Sequence, residues 1–199
     1  GVTRSPDLAS IEGDNFGTYR TNEVVDTKSF LYSFGVKSTV TLERHAAANP
    51  VTGEYDAVKV IGGTSTGGDA HIQTNLQAVN SVGAPSRVIT DGTRVVFSFY
   101  ARTDGQTFAV RPKMGRNNDA ALYSNPTITI TDTWQRYEYD DNGATISLTK
   151  ALFGLQFTQA NTTIYTYGWQ IEEKAAPATP FIPSTDEYTN RQSNATFVD

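Results

Sequence analysis

Residues Thr163–Ser184 read TIYTYGWQIEEKAAPATPFIPS, and the fold of the chain turns on how this stretch is understood. Tyr165, Tyr167, Trp169 and Ile171 recur at every second position, the spacing that lines up side chains on one face of an extended strand. Trp169, mid-strand with Tyr165 and Tyr167 beside it, is therefore expected to pack in a core or between subunits. Two acids, Glu172 and Glu173, end the run. Beyond them Pro177, Pro180 and Pro183 keep the exit segment out of a ladder interior, because proline has no N–H to donate.

Working outward, the same period-two pattern returns. In Val95-Val96-Phe97-Ser98-Phe99-Tyr100-Ala101-Arg102 one face holds Val95, Phe97, Phe99 and Ala101, and the other holds Val96, Ser98, Tyr100 and Arg102. The first is expected inside and the second toward water or a partner. Phe108, Val110, Pro112 and Met114 continue an apolar face, leaving Arg111 and Lys113 opposite. Between the two runs lies Asp104-Gly105, which supplies the positive φ of a tight turn and predicts a hairpin. Phe153, Leu155 and Phe157 form a third apolar stripe, with Gln156 and Thr158 behind it.

Helical periodicity is almost absent. Strands are expected at 29–34, 38–44, 55–61, 70–76, 94–102, 107–114, 127–131, 135–139, 152–158 and 163–172, separated by turn clusters such as Asn49-Pro50-Val51-Thr52-Gly53, Asp91-Gly92 and Asn142-Gly143. Ten short strands at close spacing predict an all-β domain, a jelly-roll β-sandwich of two antiparallel sheets with extended N- and C-terminal segments. A chain of 199 residues with 10 Tyr, 10 Phe and 2 Trp has the apolar bulk to build such a core.

Composition also removes classes of function. Net charge is −5, so nucleic acid, whose binders need a basic stripe to release counterions, is not an expected partner. Cysteine is absent, which excludes disulfides and thiolate metal sites. No apolar run approaches the roughly 20 residues that span a bilayer as a helix, so no membrane partner is expected.

Several segments together resemble the jelly-roll, carbohydrate-binding-module-like domain of bacteriophage tail and virion proteins. They are Asn49–Val60, a turn leading into an Ala-x-Lys-Val strand; Val96–Arg102, reading VFSFYAR; Thr133–Tyr137, reading TWQRY; and the WQIEE and ATPFIP elements of Thr163–Ser184. The similarity spans roughly Ser29 to Ser184. Val2–Phe16 (VTRSPDLASIEGDNF) is similar to a joint that in such proteins follows the Ile-Pro segment, and Thr189–Phe197 is a degenerate version of it. The division implied is a linker or docking segment over 1–28, the jelly roll over 29–184 and a docking tail over 185–199. The resemblance implies a non-enzymatic virion structural protein, a tail fibre, head fibre or capsid-associated appendage. It would form a homo-oligomer such as a trimer, contact other virion proteins, and attach to host-surface glycans. The alternative is a stand-alone carbohydrate-binding module. Sugar-binding relatives of this fold often place one or two Asp in the last strand to help hold a structural Ca²⁺. Here that place reads Tyr167-Gly168-Trp169-Gln170 and lacks a carboxylate, so no cofactor or metal is expected.

Candidate chemistry follows from the outward faces. Tyr100, Arg102, Arg111 and Gln156 are candidates for the floor of a ligand groove, the alternatives being an ordinary polar sheet face or a trimer contact. Trp134 is a candidate flat platform for a sugar ring, the alternative being a seal of the sandwich edge. Catalysis finds little footing. Only His45 and His71 are present, both read as surface or structural residues, and neither lies in a Ser-His-Asp arrangement. Neighbours in a strand point to opposite faces, so neither Asp140-Asp141 nor Glu172-Glu173 can flank one glycosidic bond. The run Gly62–Gly68 lacks the Lys and helix of a phosphate loop and is expected to be a flexible connection or tip loop.

Overall fold

The computed structural model describes residues 20–21, 34–36, 39–66, 70–75, 94–115, 126–140, 152–172, 176–181 and 190–191. Among them no residue is helical. The strands are β1 (Arg20–Thr21), β2 (Phe34–Val36), β3 (Thr41–Ala47), β4 (Ala57–Ile61), β5 (His71–Asn75), β6 (Val96–Thr103), β7 (Phe108–Gly115), β8 (Ile128–Ile130), β9 (Gln135–Asp140), β10 (Leu152–Phe157), β11 (Thr163–Glu172) and β12 (Asn190–Arg191). One five-stranded sheet has the order β2-β5-β10-β7-β8 and the other β3-β4-β11-β6-β9, while β1 and β12 pair as a separate ribbon. All the pairings are antiparallel. This is the expected jelly-roll β-sandwich.

The core lies between the two sheets, where alternation put it. Val58, Val60, Phe97, Phe99, Ala101 and Ile164 face it from one sheet, and Ile72, Phe108, Val110, Ile130, Leu155 and Phe157 from the other, all buried. Trp169 stands at its centre with its ring 5.1 Å from Phe97 and 6.2 Å from Phe99, and its Nε1 donates to Thr166 Oγ1 at 2.8 Å. That bond lets the indole be buried without stranding its N–H. The side chains of Met114 and Phe153, also expected in the core, lie outside the described set.

Three expectations about the fold are corrected. Asp104-Gly105 does turn the chain, with Gly105 at φ 84°, but β6 and β7 do not form a hairpin. β6 pairs with β11 and β9, and β7 with β10 and β8. The turn is an arch that carries the chain from one sheet to the other. A turn residue dictates reversal, not the identity of the partner, and two phenylalanine-bearing faces gain more by meeting across the core than by lying side by side.

The second correction concerns the decisive stretch itself. Tyr167 lies opposite Tyr100, yet Gln170 lies opposite Ser98, so β11 carries one residue more than β6 at this point. This β-bulge is centred on Gly168, whose φ of 61° is open to glycine at little cost. An extra residue inverts the alternation. Tyr165 and Tyr167 therefore point out of the sandwich while Trp169 and Ile171 point in, and the four do not share a face. The core position expected for Trp169 is found; its company is different.

The glycine run also differs from expectation where it is described. Gly62 and Gly63 exchange backbone hydrogen bonds with Thr162 and Asn161, and a side chain at Gly63 would run into the Thr39 carbonyl. These glycines permit close packing at the sandwich edge. Residues 67–69 of the run lie outside the described residues.

Candidate functional site

The outward face of the β3-β4-β11-β6-β9 sheet collects side chains into rows, because antiparallel neighbours hold opposed residues on one face within contact distance. One row contains Arg136 on β9, Tyr100 on β6 and Tyr167 on β11. The next contains Arg102 on β6, Tyr165 on β11, Lys59 on β4 and Glu43 on β3, and Trp134, just before β9, extends it. With strands about 4.8 Å apart, a row across five strands spans roughly 19 Å.

Within the second row the contacts are specific. The Arg102 guanidinium carbon lies 4.0 Å from the centre of the Tyr165 ring and 5.5 Å from that of Trp134. Its Nη1 donates to the Thr103 carbonyl at 3.1 Å. Lys59 Nζ meets Glu43 Oε2 at 3.2 Å. In the first row the Arg136 guanidinium carbon is 5.8 Å from the Tyr100 ring, and its Nη2 donates to Ser98 Oγ at 2.8 Å. Arg102, Trp134, Tyr165, Lys59 and Arg136 are all half-buried. Their stems pack on the sheet and their polar ends are within reach of water.

The other half of this face is covered by the chain itself. Residues Ala176–Phe181 return across it as a strap. Ala176 N donates to Asp140 Oδ2, Ala178 N to Glu138 Oε2, and Thr179 to both oxygens of Glu172. Gln170 Nε2 donates to Glu172 Oε2 at 2.8 Å and to the Thr179 carbonyl at 3.2 Å. Phe181 ends the strap edge-on to Tyr167 and Tyr100, with centroids 5.4 and 6.4 Å away. This cover explains why Val96 and Ser98, outward by alternation, are fully buried. It also gives two of the acids work: Asp140 pairs with Arg94 at 2.8 Å and Glu172 holds the strap. Asp141 and Glu173 lie outside the described residues.

The structure separates the residues that the sequence grouped as one groove floor. Tyr100, Arg102 and Trp134 share the face just described. Arg111 and Gln156 are opposed to each other on β7 and β10, in the other sheet, with His71 opposite Gln156 on β5. Gln156 and His71 are buried there, and His45 sits exposed in a bulge of β3 at φ 53°. Sequence reasoning missed Tyr165, Lys59, Arg136 and Phe181 as members of the face. The one available signal was Gly168 inside an alternating strand, which marks a bulge. Among the described residues, no cluster of three or more His, Asp or Glu is placed to hold a metal ion.

Electrostatics distinguish the two rows. Lys59 is held above its ordinary pKa chiefly by its hydrogen bond to Glu43, partly opposed by burial, with the charges of Glu43 and Asp104 adding support. Burial pushes the Tyr167 phenol up to about 12, and the Asp56 and Glu54 carboxylates add to it. An unfolded tyrosine titrates near pH 10. Between about pH 10 and 12 the folded chain therefore binds more protons than the unfolded one. The stability supplied by the neutral phenol is complete below that window and falls as pH rises through it. A Tyr167→Phe variant is expected to lose less stability than the wild type between these limits, measured by urea unfolding at each pH. Equal slopes would refute the assignment.

No family profile matches the chain, and no curated protein matches it in sequence. Solved structures do. The CBM22-1 xylan-binding domain from Paenibacillus barcinonensis Xyn10C superposes with a TM-score of 0.55 at 14% identity, over 79% of this chain and 94% of that one. The CBM22-1-CBM22-2 tandem domain of the same protein gives 0.56 at 16% identity, over 80% and 49%. A CBM4 structure gives 0.50 at 13%, over 76% and 100%. At such identities the likeness is one of fold: the chain has the jelly-roll β-sandwich of carbohydrate-binding modules.

Proposed function

We propose that the protein is a non-catalytic glycan-binding module whose ligand lies along the row Trp134–Arg102–Tyr165–Lys59. The observation that carries this reading is a long, half-buried strip of stacked aromatic and hydrogen-bonding side chains, not covered by the strap, on a sheet face of this fold. Flat apolar rings and fixed polar donors are what a sugar, with its apolar ring faces and hydroxyl edges, requires of a protein. Setting in a virion and assembly into a symmetric oligomer rest on the motif resemblance alone. Glycan binding draws on fold and face together, and is the reading adopted.

The test is direct. On a broad glycan array followed by calorimetry, Tyr165→Ala is expected to weaken binding by at least tenfold, corresponding to about 1.4 kcal/mol. The melting temperature should fall only modestly, because Tyr165 is half-buried. Silence of the wild-type chain across the array would overturn the proposal.

A further inference from the structure

Building on that reading, we propose that the saccharide carries a carboxylate, and that Arg102 is its principal anchor with Arg136 in support. Arg102 stands between Trp134, just before β9, and Tyr165 on β11, its guanidinium 5.5 and 4.0 Å from their ring centres. The ring faces turned toward it are therefore occupied by the cation. In the middle of this row a pyranose stacks only on ring area that Arg102 leaves free, and meets there the donor-bearing edge of the guanidinium. Stacking of this kind also fixes the plane of the fork, so little side-chain freedom is lost when it binds a planar anion.

The charge of the face points the same way. Lys59 is already neutralised by Glu43. The acids of the covered half, Glu138, Asp140 and Glu172, accept hydrogen bonds from the strap. Arg102 and Arg136 make only neutral polar contacts among the described residues, with the Thr103 carbonyl and Ser98 Oγ respectively. Arg136 Nε is buried without a hydrogen-bond acceptor among those residues. In a chain of net charge −5, two arginines held by aromatic rings on one face, neither salt-bridged to an acid among the described residues, form a local positive site. The nearby acids that temper it are Asp104, close enough to raise the Lys59 pKa, and Asp56 and Glu54, close enough to raise that of Tyr167. Arginine binds a carboxylate through two parallel, charge-assisted N–H···O bonds, roughly twice as strong as those it makes to the neutral hydroxyls of a sugar. Two arginines are too few for a polyanionic nucleic acid, whose capture needs many phosphate contacts.

The experiment uses the full chain and matched probes: uronic- and sialic-acid oligosaccharides, their methyl esters, neutral oligosaccharides and dextran sulfate. Binding is read by calorimetry. Free acids are expected to bind at least tenfold more tightly than their esters, and Arg102→Gln is expected to abolish that difference. Arg102→Lys should retain part of it, since it keeps the charge and loses the fork. Should Arg102→Gln fail to fold, the acid–ester comparison on the wild type and the Lys variant decide. Esters that bind as well as acids, acids that bind Arg102→Gln as well as wild type, or binding of the sulfated polymer alone would each overturn the proposal. Neutral-sugar binding that is lost in Tyr165→Ala would sink the carboxylate assignment and leave glycan binding standing. Absence of binding to every probe would remove both.

Discussion

Replacing Gly168 with valine is expected to destabilise the fold by about 1–3 kcal/mol through the backbone alone, because a β-branched residue is forced to a positive φ. A second loss adds to it. A Cβ at this position would lie 3.2 Å from the Phe181 ring and 3.2 Å from Tyr100 Cδ2, so the end of the strap must move. The expected signature is a lower urea midpoint together with increased protease cleavage after Phe181, whose ring no longer beds against Tyr100 and Tyr167. Gly168→Asn should be milder, since asparagine tolerates the left-handed region better than other residues with a Cβ. Wild-type stability in the valine variant would show that the bulge is not where the register places it.

Trp169→Ala is expected to cost about 3–5 kcal/mol, the range for removing a large aromatic from a packed core. The indole is fully buried, touches Phe97 and Phe99, and satisfies its only donor on Thr166. Trp169→Phe should cost less. The Thr166 hydroxyl keeps its bond to the Tyr100 carbonyl at 2.9 Å, so no polar atom is orphaned when the indole N–H is lost. Equilibrium urea unfolding with an unchanged denaturant slope would separate lost packing from a change in the denatured state. A small effect in Trp169→Ala would mean that Trp169 faces outward with Tyr165 and Tyr167.

Strand positions could be read from the sequence because they depend on local signals. Period-two alternation marks the extended runs and glycine, asparagine and proline mark their ends. Partner choice is not local. Asp104-Gly105 reads the same whether β7 returns beside β6 or crosses to the other sheet, and only the competition among all ten strands decides. The candidate site was lost at the same point. Alternation separates inside from outside, but a sandwich has two outsides, and Gln156 and Arg111 belong to one while Tyr100 and Arg102 belong to the other. Tyr165 was missed for a different reason: a single extra residue at Gly168 inverts parity, so reading back from Trp169 assigned the tyrosines to the wrong side.

The central strand of each five-stranded sheet is among the last to be made. β10 sits in the middle of one layer and β11 in the middle of the other, and the β4 residue Val60 waits for Ile164 as its partner. During synthesis β2 can pair with β5, β3 with β4, β6 with β9 and β7 with β8, but each pair keeps an open edge until β10 or β11 arrives. Folding of such a chain is a late, all-at-once event that must span large sequence separations, and topologies of this kind fold on the order of milliseconds to seconds. Until then the nascent polypeptide exposes phenylalanine-rich ribbons, the state that chaperones recognise.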